Sequence, residues 1–206
     1  MKALHISDLH FQSLEKNEYT IKKVVEKIID KCKDEKLDFI FFTGDLVFKG
    51  DDIDDFHLAK SLLFDELSEK LNIEKNNILF CCGNHDVYRD QEMGIVTDAI
   101  NKINSEKGLD DFISNEKLKK EYEDSLKNIA NFASFQKEYY ANESEENEVD
   151  DLYSIHQKKI DGKEISIVTI NSSWRCNDSE KDFGNLLFPN RFVENISLKI
   201  KKSEFR

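Results

Sequence analysis

Apolar and polar positions along this 206-residue chain alternate between two kinds of segment. Short apolar runs at residues 2–7, 37–43 and 77–81 have the length and the aromatic or β-branched content of buried strands. Between them the apolar residues recur every three or four positions. Ile21, Val24, Val25, Ile28, Ile29 and Cys32 form one stripe and predict a helix over residues 19–36. Phe56, Ala59, Leu63 and Leu67 form a second, which predicts a helix running to about Leu71. Asp51, Asp52, Asp54 and Asp55 stand at its start, where carboxylates meet the positive end of the helix dipole. Strand, helix, strand, helix, strand is the order of a parallel sheet with right-handed crossovers.

Past Arg89 the pattern turns helical. Residues 93–104 read as one helix and 115–140 as a longer one, with Leu118, Tyr122, Leu126, Ile129 and Ala133 on its apolar face. The acidic stretch 143–151 reads as a solvated loop, so residues 93–151 form a helical insertion suited to a lid or a docking surface. Residues 152–160 and 163–170 predict two strands joined by Asp161-Gly162, a strong hairpin signal, the second strand being largely buried. Phe192, Val193, Ile196 and Ile200 predict a last helix over residues 190–202.

Composition narrows the class. The chain is long enough for one domain with its own core. A net charge of −12 disfavours a broad basic face for nucleic acid, so such contacts are expected only through regions outside this chain. Cys32, Cys81, Cys82 and Cys176 form no Cys-x-x-Cys pair and read as buried free thiols. No apolar run reaches membrane-spanning length. The expectation is a cytoplasmic protein without a membrane partner.

The candidate chemistry sits at the carboxyl ends of the first three strands, where sites form in open α/β sheets. Asp8 and His10 follow the first strand. Being two apart on an extended segment, they would project to one side and could chelate one cation. Gly44-Asp45 follows the second, and a carboxylate can bridge two cations. Gly83-Asn84-His85-Asp86 follows the third, and Asn84 can hold the second cation through its amide oxygen. Two divalent ions roughly 3.5–4 Å apart clamp a phosphate and lower the pKa of a bridging water. His85 is then left to act as an acid, with Asp86 holding its ring. Each cluster alone is an ordinary turn; three of them in order, each at a strand end, point to metal.

Asp8-Leu9-His10, the run from Gly44 to Gly50 and Gly83-Asn84-His85-Asp86 together resemble the calcineurin-like metallophosphoesterase family. The resemblance is strong to about Arg89 and looser through Asn171-Ser172-Ser173-Trp174. It implies an α/β fold, a β-sandwich flanked by helices, and a dinuclear centre. By it Asp8, His10 and Asp45 bind one ion and Asp45 and Asn84 the other, with Mn2+ the first candidate and Fe, Zn or Ni the alternatives. His85 is the implied catalytic acid. Protein phosphatases of the family carry Glu where this chain has Asp86 and Arg where it has Lys49, so a phosphodiesterase- or nuclease-like branch acting on a phosphoester substrate is favoured over a protein phosphatase.

The family also uses three later histidines, one at a further strand end and two in Gly-His-x-His. His5, His57 and His156 do not stand in such positions and read as structural or exposed. The expectation is therefore an N-terminal piece of a longer phosphoesterase, weakly active by itself. Further C-terminal domains or a partner chain would complete its site. A non-catalytic module that keeps the fold is the competing reading, and a nuclease is the third.

Overall fold

The computed structural model describes residues 1–13, 17–89, 100–142, 147–177, 182 and 184–200. Three strands, β1 (Ala3–Ile6), β2 (Phe39–Phe42) and β3 (Ile78–Phe80), form a parallel sheet in that order. Their register sets Ala3 opposite Phe39 and Phe42 opposite Phe80. Crossover α1 (Glu18–Cys32) joins β1 to β2, with Ile21 and Val25 buried. The second crossover is α2 (Ile53–Lys60), a π turn (Ser61–Asp65) and α3 (Glu66–Leu71) in one run. Asp52 caps it by accepting from the Asp54 N–H at 2.9 Å, and Asn72, in the left-handed region at φ 52°, ends it. These elements match the expected order, with boundaries a few residues shorter.

A second, antiparallel sheet holds β4 (Glu148–Val149), β5 (Tyr153–Ile160) and β6 (Lys163–Ile170). Asp161 and Gly162 join β5 to β6 at φ 50° and 81°, the two left-handed positions that a tight hairpin turn requires. One core cluster draws side chains from both sheets, including Ile40, Phe42 and Phe80 from the first and Tyr153 and Ile155 from the second. The last helix, α7 (Asn190–Lys199), packs on α4 (Glu106–Ser114). The architecture is the expected mixture of sheets and flanking helices.

Four details of the second half differ from the sequence pattern. Residues 115–140 do not form one helix. Asn115 is extended and its side chain accepts from the Lys117 N–H at 3.0 Å, so it opens a 3-10 turn and then α5 (Lys119–Ser125). A second 3-10 turn (Leu126–Ile129) precedes α6 (Ala130–Tyr139), and there the Asn128 carbonyl accepts from the Tyr88 N–H at 2.7 Å. A tertiary bond has taken an acceptor that a continuous helix would have used. Helix α4 was not legible because Gly108 weakens its pattern, although Ser105 caps it by accepting from the Gly108 N–H. Within the acidic loop, Glu148 and Val149 pair with β5, and Lys199 and the Tyr153 hydroxyl hold Glu148. Strand β6 is only half-buried because it lies at the rim of its sheet; the buried strand is the first half of the central β5. Residues 93–99 of the expected helix, and 201–202 of the last one, lie outside the described residues.

Helix α6, within residues 93–151, contributes to the core. Phe132 and Phe135 of α6 are buried with ring centroids 6.0 and 5.4 Å from Phe80. Gln136 Nε2 donates to the Phe80 carbonyl at 2.8 Å, and the Tyr140 hydroxyl donates to the Ile78 carbonyl at 3.0 Å. These side chains satisfy the edge of β3, where a fourth parallel strand would otherwise pair.

Candidate metal centre

Three loops leave the carboxyl ends of β1, β2 and β3, and backbone bonds lock the first two together beyond the sheet. The Asp8 N–H donates to the Gly44 carbonyl at 3.0 Å, the His10 N–H to Asp45 at 3.0 Å, and the Phe11 N–H to Leu46 at 3.1 Å. Phe48 N–H returns to the Phe11 carbonyl at 2.9 Å. Asp8, His10 and Asp45 nevertheless sit in the left-handed region, at φ 60°, 49° and 61°. Non-glycine residues avoid that region, and the strain concentrates at sites that need a fixed side-chain direction. The segment carrying Asp8 and His10 is thus not extended, as the sequence reading assumed; the ladder to the second loop is what aims both side chains.

The third loop is seated by two devices. The first is close backbone approach. A Cβ on Gly83 would lie 2.2 Å from both the Asp45 nitrogen and its Oδ1, and one on Gly44, itself at φ 106°, would lie 2.6 Å from the Gly83 Cα. Only glycine fits at either position. The second is the Asp86 carboxylate, fully buried. Its Oδ2 accepts from the Gly83 N–H at 2.8 Å and the Asp45 N–H at 2.9 Å, and its Oδ1 from the Val47 N–H at 3.0 Å. Burial pushes the Asp86 carboxyl up to about 6; its backbone bonds to Val47, Gly83 and Asp45 pull the other way. The expected role of Asp86, holding the His85 ring, is therefore corrected. The His85 ring is held by the Phe48 carbonyl, 2.8 Å from Nδ1, while Asp86 clamps two loops together through their backbones.

The side chains converge above this frame. His10 Nε2 lies 3.7 Å from Asp8 Oδ1 and 4.0 Å from Asp45 Oδ2. Those distances are too long for hydrogen bonds. They suit donors that share a cation, since bonds of about 2.0–2.2 Å leave ligand atoms roughly 3–4 Å apart. His10, Asp45 and His85 each bring one ligand atom into a group within 4.8 Å. His10 Nδ1 is buried without a partner, and the His10 and His85 rings meet edge to face at 4.5 Å. Asp45 Oδ1 accepts from the His85 N–H at 2.8 Å, so Asp45 Oδ2 is the oxygen turned to His10. Asn84 is half-buried on the same loop, and its carbonyl accepts from Arg89 Nη2 at 2.9 Å. A mixed carboxylate and imidazole set of this kind fits a divalent metal ion.

The remaining histidines stand apart from this group. His5 Nε2 pairs with the Thr43 hydroxyl at 2.7 Å, and His57 lies 3.4 Å from Glu138. His156 is buried against Tyr140 with Nε2 at 2.7 Å from the Ser154 hydroxyl.

Sequence reasoning placed Asn171 in the looser part of the resemblance but missed that it and Asn131 brace the loops. Asn171 is fully buried; its Oδ1 accepts from the Cys82 N–H at 3.0 Å and its Nδ2 donates to the Asp151 carbonyl at 2.8 Å. Asn131 Nδ2 donates to the Gly50 carbonyl at 3.0 Å. An asparagine inside a helical or strand-end pattern carries no signal that separates such a brace from a solvated residue. Nearby, burial pushes the Cys81 and Cys176 thiols up to about 11 and raises Cys82 as well. All four cysteines are free as expected, but only Cys82 and Cys176 are buried; Cys32 and Cys81 are partly exposed.

The family model of calcineurin-like phosphoesterases matches residues 1–196, and the chain belongs to that family. Its members act on phosphoesters with divalent metal ions. An uncharacterized metallophosphoesterase-like protein, YydB of Bacillus subtilis (strain 168), is 31% identical over 103 residues. That match takes in 50% of this chain and 21% of the relative, so the chain spans about a fifth of the relative's length. No solved structure matches significantly. Among the described residues no helix is long and apolar enough to cross a membrane.

Proposed function

We propose that this chain carries the metal-binding face of a phosphodiesterase that works with two divalent ions, Mn2+ first among them. Asp8, His10 and Asp45 would hold one ion, and Asp45 with Asn84 the other. Bound divalent ions supply Lewis acidity toward phosphate oxygens and a coordinated water of lowered pKa. The observation that carries the reading is the convergence of Asp8, His10, Asp45 and His85 on three clamped loops, with three of the four in strained left-handed backbone.

The chain's own residues divide the work. Asp45 is fixed by the His85 N–H at one oxygen, which leaves the other aimed at His10. His85 Nδ1 carries its proton to the Phe48 carbonyl. That leaves Nε2 as the ring nitrogen facing the reaction, and a protonated His85 delivers its proton from there to the leaving oxygen. Asp86 touches no reacting atom in this scheme. It is a positioning residue that keeps Asp45 and the Gly83 loop in register. The free thiols support a reducing compartment.

The test is hydrolysis of bis(p-nitrophenyl) phosphate in Mn2+ by the wild type and His85→Ala, with Mn2+ binding measured by calorimetry for Asp45→Asn. The expected losses are roughly 10²–10⁴-fold in rate for the first variant and most of the metal affinity for the second. A rate that survives EDTA, or that His85→Ala leaves unchanged, refutes the proposal and favours a non-catalytic module.

A further inference from the structure

Among the phenylalanines of the described residues, Phe48 alone is exposed, at 46%. Leu46 and Val47 just before it are buried, so the apolar run turns outward at this one residue. Its main chain is held at both ends. The N–H donates to the Phe11 carbonyl at 2.9 Å, and its own carbonyl accepts from His85 Nδ1 at 2.8 Å. The ring centroid lies 5.3 Å from that of His85 and 6.2 Å from that of His10.

A ring that merely roofed the two histidines would be covered by the rest of the fold. Phe48 instead stays about half exposed with its ring beside that of His85. An aromatic ring on a fixed backbone offers a large contact surface and has few torsions to lose on binding. Resting on the phosphoesterase reading, we infer that the Phe48 ring is a substrate platform. It receives the aromatic ring of an ester group on the bound phosphate, and so favours aryl or nucleoside-type esters over small alkyl ones. Phe48 thereby acts twice, its carbonyl setting the His85 tautomer and its side chain choosing the ester. The two actions separate cleanly, because replacing the side chain leaves the carbonyl in place.

The experiment is calorimetric titration of the whole chain in Mn2+ with phenylphosphonate and methylphosphonate, which share a head group and do not turn over. Wild type is expected to prefer the phenyl compound. In Phe48→Ala that preference falls about three- to tenfold, the size of one aromatic contact. Phe48→Leu keeps apolar bulk without the ring, serves as the variant least able to disturb folding, and is expected to lose most of the same preference. A preference equal to wild type in Phe48→Leu or Phe48→Ala overturns the platform while leaving the phosphoesterase reading intact. If wild type binds neither phosphonate, the platform is overturned, whereas the phosphoesterase reading stands or falls separately on the EDTA and His85→Ala rates.

Discussion

Replacing Asp86 by Asn tests whether a buried carboxylate holds the centre together. The side chains are the same size, so no cavity forms. The carboxylate takes three backbone N–H groups, two at Oδ2 and one at Oδ1. The amide has one acceptor oxygen. If that oxygen takes the Oδ2 place, the bonds to Gly83 and Asp45 survive without their ionic character, and the Val47 N–H meets an NH2 group. An orphaned buried donor costs about 1–3 kcal/mol, and the lost charge assistance adds about 1 kcal/mol for each surviving bond. Against this stands the cost of burying the charge, which is what pushes the carboxyl up to about 6 and which the neutral amide avoids. The losses come to about 3–5 kcal/mol, and the rise from 3.8 to about 6 is worth about 3 kcal/mol of relief, which leaves a net destabilisation of about 1 kcal/mol. For a chain of this size that lowers the melting temperature by roughly 2–4 °C. Thermal unfolding followed by circular dichroism at pH 7.5, without metal, reads it directly. Mn2+ affinity measured on the folded variant should fall in parallel, because Asp45 loses its backbone anchor. A melting temperature equal to or above wild type would show that desolvation outweighs the three bonds and that the clamp is not what seats the loop.

Gly83→Ala should be harsher, since its Cβ would overlap the Asp45 backbone and carboxylate; Mn2+ binding by calorimetry is expected to drop roughly 10–100-fold, as when the support of a metal ligand is removed. Asn171→Ala strands the Cys82 N–H and the Asp151 carbonyl in the interior; a loss of about 3 kcal/mol, or roughly 6–12 °C in melting temperature, should appear in the same unfolding assay. Thiol titration with Ellman's reagent at neutral pH should find one readily reacting cysteine, Cys32, because burial keeps Cys81, Cys82 and Cys176 protonated; all four should react in denaturant.

The order of β1, α1, β2, the second crossover and β3 was legible in the chain, because each element carries its own periodicity and the connections are local. So were the three polar clusters, since strand ends in an open sheet leave few places for Asp, His and Asn to go. The Asp161-Gly162 turn was legible too, because its chemistry is complete within two residues. Other features depended on contacts between distant segments. The break at Asn128 exists because Tyr88 claims its carbonyl. The half-buried state of β6 follows from its place at the rim of the second sheet. Asp86 was assigned to its neighbour His85 because sequence shows proximity along the chain, whereas the carboxylate satisfies N–H groups about 40 residues away. The candidate metal-binding residues were written in their types and spacing. How they are aimed was decided by tertiary structure: a left-handed backbone at Asp8, His10 and Asp45 is stable only when a ladder, a buried carboxylate and two glycines from separate loops hold it there.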